Sequence, residues 1–153
     1  MINIFVYGLD QFVVGDLSER MTEVLSNTFE VKPDDINFVA PNDMVFHNGV
    51  EQTSWRVLVE VKLPEEFEYL ELRAKEILLH YISEVAVHVE VVFLYYSRKH
   101  HYASINKDYP LYLTDEQRQS QLTTDSYDED KELVEGDGDD EIYTDDIFAG
   151  IVG

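Results

Sequence analysis

Apolar residues recur along this chain in two alternating rhythms. From Trp55 to Lys62 they fall at every second position, with Trp55, Val57, Val59 and Val61 on one face of a predicted strand. Pro64-Glu65-Glu66 then opens a helix, since proline suits the first helical position and carboxylates favour its positive end. Within that helix Phe67, Leu70, Ala74, Ile77, Leu78 and Tyr81 form an apolar stripe at steps of three and four. Val85, Val87, Val89, Val91 and Phe93 return to alternation and predict a second strand.

The same order appears earlier in weaker form. Ile2, Ile4 and Val6 alternate, Gly8 interrupts, and Val14, Leu17, Met21, Val24, Leu25 and Phe29 make a helical stripe. Asp16, with Glu19 three residues on, reads as a capping box; starting the helix at Asp10 instead would place Gly15 inside it at a cost of about 1 kcal/mol. Lys32-Pro33-Asp34-Asp35 is a turn, and Ile36 to Ala40 a strand. Pro41-Asn42-Asp43 punctuates, Met44-Val45-Phe46 adds a short extended piece, and His47-Asn48-Gly49 turns again.

Two strand–helix–strand units with a period of roughly fifty residues indicate a duplication. Each unit should join parallel strands by a crossover. The expected architecture is an α+β two-layer sandwich, with a mixed four-stranded sheet and both helices on one face. On the other face Arg56, Leu58, Glu60 and Lys62 would oppose Ala86, His88, Glu90, Val92 and Leu94. Half apolar and half charged, that surface suits an interface between copies of the chain. Ile105 to Leu113, rich in aromatics, is expected to pack back as an edge segment.

Composition changes the picture beyond Thr114. The formal net charge of the chain is -21. Residues 114–153 hold 14 Asp/Glu against Arg118 and Lys131, a net of -12. Asp125 to Asp146 has few large apolar residues and reads as a disordered acidic tail, and the apolar end Ile147 to Val152 as a frayed end or a docking peptide. The division is therefore a folded domain over 1–113 and a tail over 114–153, which would solubilise the protein or engage a protein partner. Ser97-Arg98-Lys99-His100-His101-Tyr102 is the one basic cluster, and the tail could fold onto it.

Charge and residue inventory exclude several functions. Both parts of the chain are acidic and would repel a phosphate backbone, which argues against nucleic acid. There is no cysteine, so disulfides, thiolate metal sites and cysteine nucleophiles are excluded. No signal peptide is visible, and roughly 18 apolar residues never run together, so the expectation is a cytoplasmic protein without a membrane span. His80, His88, His100 and His101 fall on different elements and faces, which argues against a metal. Asp137-Gly138-Asp139-Asp140-Glu141 is like the start of a calcium loop, but Ile142 stands where that turn needs glycine. No cofactor fingerprint is present.

The order of these elements resembles the tautomerase superfamily, which includes macrophage migration inhibitory factor, and most of all a small bacterial family of uncharacterised proteins with that fold. The resemblance rests on Asp16-Leu17-Ser18-Glu19, Lys32-Pro33-Asp34-Asp35, Pro41-Asn42-Asp43 with His47-Asn48-Gly49, Val59-Glu60-Val61, Val89 to Tyr96, and Tyr102, Asn106 and Tyr109. It spans roughly residues 1–113 and implies a homotrimer. It also implies chemistry that this chain departs from. Tautomerases use an N-terminal proline whose desolvated secondary amine acts as a base; Ile2 stands in that position, and a bulky residue there should leave Met1 in place. With the Tyr95-Tyr96 doublet aligned to the family's, a polar pair falls on Val92 and Leu94. Lys32 matches a lysine that helps hold an anionic substrate, and Arg56 is a second candidate for a small anionic ligand. The expectation is an oligomeric binding or interaction protein without proline-based catalysis. The alternative is a tautomerase or isomerase on a small keto/enol acid that uses Lys32, Arg56 or the Met1 amine.

Overall fold

The computed structural model describes residues 1–120. The acidic stretch Asp125 to Asp146, the calcium-loop-like Asp137 to Glu141 and the apolar end from Ile147 lie outside the described residues. Met1–Leu111 forms one compact unit. In the second, from Tyr112 onward, Thr114 and Gln117 cap a helical turn reciprocally: the Gln117 amide donates to Thr114 Oγ1 at 3.4 Å, and the Thr114 amide to Gln117 Oε1 at 3.1 Å.

The first unit is a mixed sheet covered by two helices. Strand β1 (Ile2–Tyr7) leads into α1 (Gln11–Phe29), a 3-10 turn over Pro33–Asp35 and β2 (Ile36–Val39). A small hairpin follows, β3 (Phe46–His47) and β4 (Val50–Glu51). Then come β5 (Arg56–Pro64), a 3-10 segment over Glu65–Leu70, α2 (Glu71–Ile82) and β6 (His88–Tyr96). The sheet order is β2-β1-β5-β6. β1 and β2 are parallel, as are β5 and β6, while β1 and β5 are antiparallel with Ile4 opposite Val61 and Val6 opposite Val59. The two units expected from periodicity thus meet through their first strands.

Alternation explains the core. Ile2, Ile4, Val6, Val57, Val59, Val61 and Leu63 all project to the helix side and are essentially inaccessible. They meet Val14, Leu17, Met21, Leu25 and Phe29 from α1, and Ala74, Leu78 and Ile82 from α2. Phe67 and Leu70 reach the same core from the 3-10 segment, with the Phe67 ring edge-on to Phe29 at 5.7 Å. Pro64 ends β5 rather than opening a helix, and α2 proper begins at Glu71.

Several local expectations give way to the structure. Helix α1 is capped by Asp10, whose carboxylate accepts the Phe12 amide at 2.8 Å, and not by Asp16. Starting there lets Val14 reach the core, where burial is worth about 1.5 kcal/mol and outweighs the penalty at Gly15. Trp55 precedes β5 and is 56% exposed, because Ser54 takes a positive φ of 61° and turns the chain just before it. Ala86 is buried and Val87 exposed, the reverse of the expected faces, since the Ala86 amide still bonds Ile82 O and strand alternation starts at His88. Ile105, Tyr109 and Leu111 join no strand and stand exposed.

Two glycines are required by geometry. The Asn48-Gly49 pair carries φ of 48° and 80° and closes a two-residue hairpin loop between β3 and β4, as the favoured turn for such loops demands. Gly8 has φ +83°, and a Cβ there would sit 2.7 Å from the Arg56 carbonyl oxygen.

Candidate functional site

Strand register sorts the functional candidates to opposite ends of the sheet. Ile2 pairs with Ile36, Asn3 with Lys62, and Pro64 with Tyr96. Met1, Asn3, Asn37, Lys62, Leu94 and Tyr96 therefore gather at one end, and Lys32, just before the turn into β2, lies at that end too. Arg56 lies two residues beyond Leu58, the partner of Tyr7, at the other end. Six residues of β1 at about 3.3 Å each separate the ends by roughly 20 Å. Lys32 and Arg56 of one chain are thus too far apart to hold the same small ligand.

At the Met1 end the side chains engage one another. The Tyr96 hydroxyl donates to the Met1 carbonyl at 2.6 Å, and the Tyr96 ring stacks on His101 at 5.6 Å. Asn37 Nδ2 reaches Asn3 Oδ1 at 3.4 Å. Arg98 forks onto Glu66 through Nε at 2.8 Å and Nη2 at 2.5 Å, the bidentate geometry that suits a guanidinium and a carboxylate. On the helix side of β6, the Tyr95 hydroxyl donates to the Glu71 carboxylate.

These surroundings shift three of the groups. Burial raises the Tyr96 phenol above its ordinary value, with Arg98 opposing and Glu66 adding to the effect. Burial, followed by the bond to Glu71, raises Tyr95 as well. Glu66 raises Arg98. Each of these shifts moves its group away from neutrality, whereas a general base works best with a pKa near the operating pH. Ile2 is 1% exposed and packed among core side chains. What the arrangement does well is tie the chain terminus to β6 and present hydrogen-bonding groups around it.

The helix-free face between the two ends is a mosaic. Leu58 faces Glu90 across the β5–β6 ladder, Glu60 faces Val92, and Lys62 faces Leu94. Its charges find partners on the face itself: Lys62 Nζ lies 4.4 Å from the centre of the Phe5 ring, Tyr7 donates to Glu60 at 3.4 Å, and Arg56 Nη2 meets Glu90 at 2.9 Å. Val92 and Leu94 remain exposed among them.

Among the described residues no group of three or more His, Cys, Asp or Glu is placed to hold a metal ion, and no helix is long and apolar enough to cross a membrane. Sequence reasoning missed Tyr96, Asn37 and the Arg98–Glu66 pair as parts of the Met1 end. Their partners lie 32 to 95 residues away, so only the strand register brings them together.

No family model and no curated protein matches the chain. Solved structures do. A protein of the domain of unknown function DUF1904 from Sebaldella termitidis is similar at a TM-score of 0.61 with 19% identity, over 67% of this chain and 95% of that one. A protein of unknown function from Vibrio cholerae is similar at 0.55 with 20% identity, over 67% and 83% of the two chains. A macrophage migration inhibitory factor homologue from Prochlorococcus marinus is similar at 0.53 with 13% identity, over 67% and 94%. At these identities the likeness is one of fold, and the fold is tautomerase-like.

Proposed function

We propose that this protein is an oligomeric binding or interaction protein on a tautomerase-like scaffold, without proline-based tautomerase activity. The observation that carries the reading is position 2, where an isoleucine is sealed in the core while the preceding carbonyl is tied to Tyr96. An isoleucine in that position offers no secondary amine.

The oligomer is a homotrimer in which sheets from three copies cover one another's helix-free faces. Val92 and Leu94, exposed between internally paired charges, suit such a surface: burial adds apolar area without stranding an unpaired ion. Residues 1–113 make the assembling domain, and the acidic tail over 114–153 engages a protein partner in the cytoplasm. Lys32 contacts a small anionic ligand at the Met1 end, and Arg56 serves the same chemistry at the other.

A second reading has one observation in its favour. Met1, Asn3, Asn37 and Tyr96 bring polar groups to the end where Lys32 also lies, so a primary amine could act on a small keto/enol acid there.

Sedimentation of the full chain and of Leu94→Asp tests the assembly. The wild type should run as a trimer at micromolar concentration and the variant as a monomer; a monomeric wild type refutes it. A phenylpyruvate ketonisation assay tests the chemistry. Turnover that disappears in Lys32→Ala would establish the enzyme reading instead.

A further inference from the structure

At the end of the sheet opposite Met1, the β3–β4 hairpin stands over the starts of β5 and β6 and borders an open hollow of about 470 Å³. That volume falls within the range of small-molecule sites. Phe46 and Trp55 supply aromatic surface, and Arg56, Gln52, His47 and His88 supply polar groups. Among the described residues no carboxylate lines it. On a chain of net charge -21, the wall offers a guanidinium, two imidazoles and an amide as polar groups.

The walls are held by backbone bonds. The Gln52 amide donates to Val45 O at 2.7 Å, which closes the hairpin base, and the Arg56 amide returns to Gln52 O at 3.1 Å. The Ser54 amide bonds Gly8 O at 2.9 Å, and the His88 amide bonds Trp55 O at 2.8 Å. Gly8 lets these segments close, with Arg56 O and Val45 Cγ2 both against the place where a side chain would begin. The Trp55 and His88 rings then meet edge-on at 5.7 Å. Trp55 and Phe46 are nonetheless 56% and 59% exposed, so two fixed aromatics face an open hollow. Glu90 engages Arg56 through Nη2, which leaves Nε and Nη1 to donate elsewhere.

We propose that this hollow is a binding site for a small aromatic carboxylate, whose ring lies against Trp55 and Phe46 and whose carboxylate accepts from Arg56. It extends the ligand role given to Arg56 above and does not rest on the absence of tautomerase activity. The Nε and Nη1 donors of Arg56 left over by Glu90 favour a carboxylate over an aromatic cation, which the guanidinium repels, and over a neutral ring, which gives those donors no charged acceptor.

Trp55 is the one tryptophan in the chain, so its emission reports on this site directly. The full chain is titrated with benzoate, benzamide, benzylamine and cyclohexanecarboxylate, following indole fluorescence, with calorimetry as a second readout. Benzoate should give a saturable change and the other three much weaker ones. Arg56→Gln should raise the benzoate half-saturation concentration about tenfold, the loss of one charge-assisted bond. Glu90→Gln frees the guanidinium of its competitor and should lower that concentration a few-fold, a gain that damage to the fold would not produce. A benzoate response that does not saturate overturns the site. An equal response to benzamide or benzylamine overturns the anion selectivity, and an equal response to cyclohexanecarboxylate overturns the aromatic one. An Arg56→Gln variant that binds benzoate like the wild type overturns the assignment of the guanidinium.

Discussion

Replacing Gly8 by alanine should be among the costliest single-methyl changes in this domain. Two effects add. At φ +83° an L-residue sits in the left-handed region, which costs roughly 1–2 kcal/mol. The new Cβ would lie 2.7 Å from the Arg56 carbonyl oxygen and 3.1 Å from Val45 Cγ2. The nearer atom is backbone, held in the turn that joins Gln52, Ser54 and Gly8, so it cannot swing aside as a flexible side chain would. Overpacking of this kind costs typically 1–3 kcal/mol. The sum is about 2–5 kcal/mol, against the roughly 5–15 kcal/mol that holds a domain together. With a urea slope of about 1.5 kcal/mol per M, the unfolding midpoint should fall by about 1–3 M. Because Arg56 and Trp55 are displaced with the turn, the emission of Trp55 in the native state should change as well. A midpoint within about 0.3 M of wild type, at an unchanged slope, would refute both the strain and the close approach.

Gly15 provides the contrast. It sits inside α1, and a Cβ built there meets nothing within 4 Å, so Gly15→Ala should stabilise the domain by about 0.5–1 kcal/mol in the same urea titration. Asp10→Ala removes the carboxylate that accepts the Phe12 amide and should cost about 1 kcal/mol, whereas Asp16→Ala should leave the midpoint nearly unmoved. Tyr95, raised by burial and by its bond to Glu71, holds its proton more tightly folded than unfolded. Its contribution is complete below the ordinary phenol value near pH 10 and is lost as pH rises above it. Tyr95→Phe should therefore be less stable at neutral pH but lose less stability between about pH 9 and pH 11; parallel alkaline profiles for the two proteins would count against this account.

The layout of the sheet was legible because burial on one face leaves a period of two, and Ile2-Ile4-Val6 and Val57-Val59-Val61 obey it without exception. The helical stripes were legible for the same reason. Where the reading failed, a local hydrogen bond or a backbone turn had overridden periodicity. Trp55 continues the alternation of β5 on paper, but the positive φ at Ser54 turns the chain before the strand begins. Val87 extends the alternation of β6 backwards, but the Ala86 amide is still bonded to the end of α2. Asp16 satisfied a capping pattern that Asp10 also offered, and the choice lay in whether Val14 could reach the core. The hairpin carries its own signal in the sequence. Asn48-Gly49 between short extended runs marks a two-residue turn, and following it to Val50 and Glu51 would have placed β4.

The sequence offers Lys32, through the resemblance, and Arg56 as candidate contacts for an anionic ligand, but carries no distance between them. Antiparallel pairing of β1 with β5 sends the two cations to opposite ends, because Lys32 precedes the strand beside the start of β1 while Arg56 begins the strand beside its finish. This separation bears on what the scaffold can do. At the Met1 end Ile2 is committed to the core and Tyr96 to the Met1 carbonyl. At the Arg56 end the bonds that build the walls are made by backbone atoms, and the side chains of Trp55, Phe46, His47 and His88 are left facing solvent. A fold that spends its side chains on packing at one end and keeps them available at the other is better placed to recognise a ligand at the second.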